Sequence, residues 1–247
     1  MSDRRAFTKN TVGALLTFSL LESAFSADAF ADDIKPITAQ WLKELHELGM
    51  DVQGEKLEPI VWQDKTKELF EQVNLPELLT FLDFKKLSAT MKLKDRGEKS
   101  SRPKLPEVAG LPTRLVFGHQ VFGLKKGCSV VPHGHMNMAT AFLVLNGEFH
   151  GRHYDRVEDH EDHYIVKPTI DQKFGVGGCS TVSDHKDNVH WFKTLSETGY
   201  IFNIHVLNIE EGTRSGRVYV DPNGEQLAGG LVKARKLRYA EAYKLYG

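Results

Sequence analysis

Apolar positions along the chain follow a helical period at first and a strand period later. From Thr38 to Met50, Trp41, Leu42, Leu45 and Leu48 recur at the spacing of one helix face, and Gly49 stands near the end. Asp64 to Val73 and Leu75 to about Leu87 repeat the helical pattern, and Pro76 suits a first helical position. Lys92 to Pro106 is charged, contains Pro and has no period, which predicts a surface connection. After Gly110 the chain breaks into short runs rich in Val, Phe, Leu and Ile: Arg114 to Leu124, Ser129 to His135, Ala141 to Leu145, Cys179 to Val182, Val189 to Thr194 and Tyr200 to Ile209. Asn146-Gly147 between two such runs predicts a two-residue hairpin. Asp221 to Gly224 predicts a turn after a strand at Arg217 to Val220, and Val232 to Tyr246 predicts a last helix. The sum is a mainly β domain with helices at both ends: a helical extension over 32–109, one barrel over 110–210 and a hairpin and helix tail over 211–247.

The first 31 residues have another character. Arg4-Arg5-Ala6-Phe7-Thr8-Lys9 precedes an apolar run from Val12 to Leu21, and Ala29-Phe30-Ala31 precedes Asp32-Asp33. That order predicts a cleaved export signal, and its paired arginines resemble a twin-arginine signal, although Thr8 and Asp3 depart from the usual residues. The apolar run is about half the ~20 residues needed to span a bilayer, so stable membrane insertion is not expected. A periplasmic or extracellular protein follows from this reading. The net charge of −1 supplies no field to recruit nucleic acid, and a small-molecule substrate is the expected partner. Composition leaves a homodimer open. The two cysteines, Cys128 and Cys179, would meet an oxidising compartment, and their spacing leaves a bridge and two buried thiols equally open.

Ten of the eleven histidines lie between His119 and His205. Within them, His133-Gly134-His135 places two imidazoles on the same face of a strand, where both can grip one ion. His190, at a strand start in Asp187-Asn188-Val189-His190, is the candidate third ligand. Asn188 is open to a role behind a ligand histidine or to a turn. His153 and Tyr154 are adjacent on one strand, so a single one of them can face the pocket. His205 alternates with Tyr200, Phe202, Ile204 and Val206, so it lines the pocket if that apolar set faces the flanking helices. His150, His160, His163 and His185 lie among Arg, Asp and Glu and predict a solvated loop.

Gly127, His133, His135 and Gly147 fall in the register of the first motif of the cupin superfamily, which the segment from about Arg114 to Ile209 resembles. The resemblance implies a jelly-roll, or double-stranded β-helix, barrel. In that register Thr140 stands where the family carries a Glu ligand, and the Pro-x-Gly before the third histidine is replaced by His185 and Asp187. Three histidines without the Glu resemble the thiol dioxygenases. Leu145-Asn146-Gly147, Tyr154-Asp155 and Asn188-Val189-His190 resemble the cysteamine and plant cysteine oxidase branch in particular. That likeness implies Fe(II) on His133, His135 and His190, with Mn, Zn or Ni as alternatives. It also implies dioxygen as co-substrate, a small thiol or enolisable substrate, and a pocket role for Tyr154, beside which His205 is the candidate that strand alternation supplies. A cupin that uses its metal as a Lewis acid, and a non-catalytic ligand- or metal-binding cupin, are the alternatives.

Overall fold

The computed structural model describes residues 36–247, so the signal-like segment Met1 to Ala31 lies outside the described residues. Helices α1 (Pro36–Gln53), α2 (Pro59–Glu71), α3 (Leu75–Phe81) and α4 (Phe84–Thr90) come first. The expected third helix is two short ones, because Asp83 between them turns left-handed at φ 46°. Eleven strands follow: β1 (Lys99–Ser101), β2 (Gly118–Lys125), β3 (Ser129–Met136), β4 (Met138–Asn146), β5 (Phe149–Asp159), β6 (His163–Phe174), β7 (Cys179–Val182), β8 (Val189–Thr194), β9 (Thr198–Leu207), β10 (Gly216–Gln226) and β11 (Val232–Leu237). Helix α5 (Tyr239–Tyr246) ends the chain. None of the described helices is long and apolar enough to cross a membrane.

The strands form two layers. One is a five-stranded sheet in the order β1-β2-β9-β4-β7, and the other is a closed ring, β10-β11-β6-β5-β8-β3. The fold is mainly β with helices at both ends, as the pattern predicts, and its two facing sheets are those of the jelly roll that the resemblance implies. Facing strands of the two layers bury Phe122, Leu124, Val130, Phe142, Val144, Phe149, Phe174, Phe192 and Ile201 between them. A second apolar cluster joins Tyr154, Tyr164, Val166, Val189, Val220, Val232 and Ala234 from the strands of the ring. The opposite face of the five-stranded sheet is covered by helices. Trp41 of α1 packs on Phe202 at a ring separation of 6.4 Å, and Gln63 of α2 donates to the Thr181 carbonyl at 3.1 Å. Fully burying side chains of this size stabilises the fold by roughly 1.5–3 kcal/mol each.

Three expectations are corrected here. Asn146-Gly147 does not close a hairpin: β4 pairs with β7 and β9, whereas β5 pairs with β6 and β8, so this turn carries the chain from one layer to the other. Gly147 is needed there, at φ 83°, because a Cβ would stand 2.5 Å from the Thr198 carbonyl oxygen. Val232 to Leu237 is a strand and not helix, since Val232 and Ala234 alternate into the ring's apolar cluster while Lys233 and Arg235 take the other face. The barrel therefore does not end near 210. β10 and β11 belong to the ring, pairing with β3 and β6, and β1 joins the five-stranded sheet from inside the expected helical extension.

Candidate metal centre

The site depends on a one-residue irregularity in β3. On β8, Phe192 and His190 are two residues apart; on β3 their partners, Val130 and His133, are three apart. Two residues, Val131 and Pro132, thus oppose one, which is a β-bulge. Pro132 has no N–H to contribute to a ladder and suits such a position. Val130 enters the core between the layers, and after the bulge His133 and His135 are aimed at the same space. Gly134 between them is a close approach, because a Cβ there would meet Asn188 Oδ1 at 2.5 Å.

All three imidazoles are buried, and one ligand nitrogen from each lies within 4.8 Å of the others. Their Nδ1 atoms have partners behind the rings: the Val131 carbonyl at 2.8 Å for His133, Thr140 Oγ1 at 3.3 Å for His135 and the Asn188 carbonyl at 3.3 Å for His190. A carbonyl can only accept, so Nδ1 of His133 and His190 carries the proton and Nε2 carries a lone pair. His190 Nε2 is buried without a partner, and Nε2 of His133 and His135 face each other at 3.3 Å. With Nδ1 of His135 donating to Thr140, three buried lone pairs lie within 4.8 Å of one another. That donor set fits a divalent cation, around which nitrogens at roughly 2.0–2.1 Å would be about 3.3 Å apart. Burial, above all, lowers all three imidazoles: His133 to about 3, with Arg217 adding to the fall, and His135 and His190 well below the ordinary value. Neutral imidazole is the form a metal takes.

Thr140 supplies no carboxylate; its hydroxyl orients His135 from behind. Asn188 acts through its backbone carbonyl on His190, while its side chain donates to the His135 carbonyl at 2.9 Å and ties the two ligand strands together.

Tyr154 is not in the pocket, which corrects the role that the resemblance implies for it. Alternate residues of β5 and β8 point to opposite faces, so Tyr154 and its partner Val189 enter the ring's apolar cluster while His153 and its partner His190 face the other sheet. His153 is fully buried, 6.1 Å from the His190 ring centroid and edge-on to Phe192 at 5.5 Å. Burial pushes it down to about 3. Phe142, 5.0 Å from the His190 ring, completes an aromatic wall.

His205 is half-buried, opposite Thr140 on β9, while Tyr200, Phe202, Ile204 and Val206 are buried. It lines a cavity of about 650 Å³ under the segment Arg102 to Leu115, with His119 and Leu207. His119 Nε2 pins that segment through the Pro103 carbonyl at 2.8 Å. Burial lowers His205 to about 4, helped by Arg217 and Arg102.

Strand β10 adds two residues that sequence reasoning did not single out. Tyr219 is the cross-strand partner of His133, with ring centroids 5.9 Å apart, and Arg217 is the partner of His135. The signal lay in the strand pattern at Arg217 to Val220, but not which strand it pairs with. Of the other histidines, His160 and His163 stack at 4.4 Å near the β5–β6 turn and pair with Glu158 and Asp162, whereas His150 sits on β5 beside Asp171. Among the described residues, the triad is the one group of His, Cys, Asp and Glu with metal-ligand spacing. Cys128 and Cys179 are free thiols; burial pushes Cys179 up to about 11.

No family model matches the chain, and no curated protein does. Solved structures do align with it. Procruciferin, an 11S globulin from Brassica napus, is 12% identical with a TM-score of 0.33, over 42% of this chain and 23% of its own. The chain spans less than a third of the 11S globulins it matches. A conserved protein with a double-stranded β-helix domain from Klebsiella pneumoniae is 12% identical with a TM-score of 0.35, over 54% and 87%. A cupin superfamily protein from Desulfitobacterium hafniense is 14% identical with a TM-score of 0.32, over 49% of this chain and 87% of its own.

Proposed function

We propose that this protein is an exported, metal-dependent oxygenase of the three-histidine kind, acting on a small thiol or enolisable substrate. The observation that carries the reading is the convergence of three buried, neutral imidazoles in which a threonine, and not a carboxylate, stands beside His135. A donor set without charge would leave the full 2+ on a bound ion, which favours an anionic thiolate or enolate as the remaining ligand. Ferrous iron held there would supply the redox and dioxygen chemistry that sulfur or enol oxygenation needs.

The residues around the triad have separable tasks. Val131, Thr140 and Asn188 hold the imidazole tautomers through Nδ1, so the ligand face is set before an ion arrives. Phe142, Phe192 and His153 exclude water from the side of the core. His205, neutral near pH 7, lines the cavity and can hydrogen-bond an entering substrate, and Tyr219 is a phenol beside His133. The export part of the proposal rests on Arg4-Arg5 and the apolar run behind them.

The test is metal analysis of protein purified from its natural compartment, followed by oxygen uptake with thiols and diketones. We expect about one iron per chain and oxygen consumption that depends on the added substrate. Metal without oxygen uptake on any thiol or diketone would leave a Lewis-acid or purely binding cupin.

A further inference from the structure

We propose that the cavity under the segment Arg102 to Leu115 is a binding site for a small, mainly apolar molecule with one hydrogen-bonding group, an aryl or alkyl alcohol, enol or thiol in chemical type. The inference goes beyond the metal reading and stands whether or not the triad holds an ion. At about 650 Å³ the cavity has the size of a ligand site. Its roof carries Leu105, Val108 and Leu111, and its wall carries Phe117, just before β2, and Leu207, the last residue of β9. The charged lining residues, Arg102, Lys104, Glu107 and Arg114, are all exposed, so their charges meet water and the interior is left to carbon. Leu105, Val108, Leu111 and Leu207 are half-buried. The fold covers these side chains in part, and an apolar occupant would complete their burial.

One polar group stands in this apolar lining on the sheet side. His205 alternates with Leu207 along β9 and shares its face. Its Nδ1 is buried without a partner, which is the kind of atom that a ligand satisfies. Gly118 is the partner of His205 on β2, and a Cβ there would clash with His205 Nε2, so the glycine keeps room for the imidazole. A neutral imidazole offers one donor and one acceptor, enough for a single hydroxyl, enol or thiol. The roof can also give way. It belongs to no strand, and its one backbone bond joins the Leu111 N–H to the Val108 carbonyl at 3.1 Å. Its ties lie near its ends, where His119 Nε2 donates to the Pro103 carbonyl at 2.8 Å and the Val116 N–H donates to His46 Nδ1 at 3.0 Å. Lifting Leu105 to Leu111 therefore admits a ligand without breaking a strand ladder.

The test uses metal-free protein and N-phenyl-1-naphthylamine, an uncharged dye that brightens in apolar surroundings. We expect about one dye per chain, and 1-naphthol to displace it about fivefold or more effectively than naphthalene. Leu111→Glu, in the roof and outside the strands, should weaken dye binding about tenfold or more at an unchanged thermal midpoint. Ile60→Ser removes an exposed apolar side chain of α2 and should leave binding as it was. His205→Leu should bring naphthol and naphthalene to within about twofold of each other. No dye bound by the unaltered protein, which needs no variant, would overturn the inference. So would binding undiminished in folded Leu111→Glu or lost in Ile60→Ser, since the dye would then lie elsewhere. Binding that appears only on dilution would assign the cavity to a second copy of the chain and overturn the small-molecule site. A preference for naphthol that survives His205→Leu would overturn the role of His205.

Discussion

His190 Nε2 is a buried nitrogen without a partner, and an orphaned polar atom in a dry interior costs about 1–3 kcal/mol unless something satisfies it. If a metal ion is that partner, His190→Ala should abolish metal retention in dialysed protein that still folds, at a stability cost of roughly 2–5 kcal/mol for the cavity left in the core. Metal retained at full stoichiometry would remove His190 from the ligand set. Thr140→Val removes the group that fixes His135 through Nδ1, and should weaken metal affinity by roughly 10–100-fold with every ligand still present. His153 gives a pH dependence. Its folded pKa is about 3, against roughly 6.5 when unfolded. The unfolded chain therefore binds the proton first, and stability is lost as pH falls from about 6.5 towards 3, by up to ~1.4 kcal/mol per pH unit. Thermal unfolding of metal-free protein should show this loss added to that of the buried His133, His135, His190 and His205, which are lowered in the same direction, and His153→Phe, surrounded by Phe174 and Phe192, should reduce the slope by one proton's share. An unchanged slope in that variant would show that His153 contributes nothing to it.

At the scale of elements, what the sequence revealed depended on whether the deciding contact was local. Helix α1 and strands β3, β8 and β9 could be read from their periods, and His133-Gly134-His135 from strand alternation. β6 could not: Pro168 interrupts it, and its place opposite Tyr154, where the β5–β6 register shifts, is visible only once the two strands are paired. The choice between His153 and Tyr154 was likewise undecidable locally, since either face of β5 meets a core. Asn146-Gly147 carries a hairpin signal, yet its strands belong to different layers, because the partners of β4 and β5 lie far along the chain. The turn remains demanding. Gly147→Ala would place a Cβ against the Thr198 carbonyl at positive φ, and should lower stability by more than ~1 kcal/mol. A thermal midpoint equal to that of the unaltered protein would contradict the close approach.

The whole molecule depends on its C-terminal strands in a way the sequence pattern understated. β10 and β11 close the ring, bury Val220, Val232 and Ala234, and bring Arg217 and Tyr219 beside the triad. A chain ending at Arg214 should therefore fail to give soluble, cooperatively folded protein, and a truncated chain that folds and binds metal normally would refute the closed ring. The central claim is narrower: one divalent ion on His133, His135 and His190. X-ray absorption of protein loaded with a single equivalent of Fe(II) or Co(II) tests it most directly. The account predicts three imidazole nitrogens at about 2.0–2.1 Å, no sulfur, and lighter oxygen ligands completing the shell. Fewer than three imidazoles, a sulfur from Cys128 or Cys179, or no bound ion at one equivalent would contradict it.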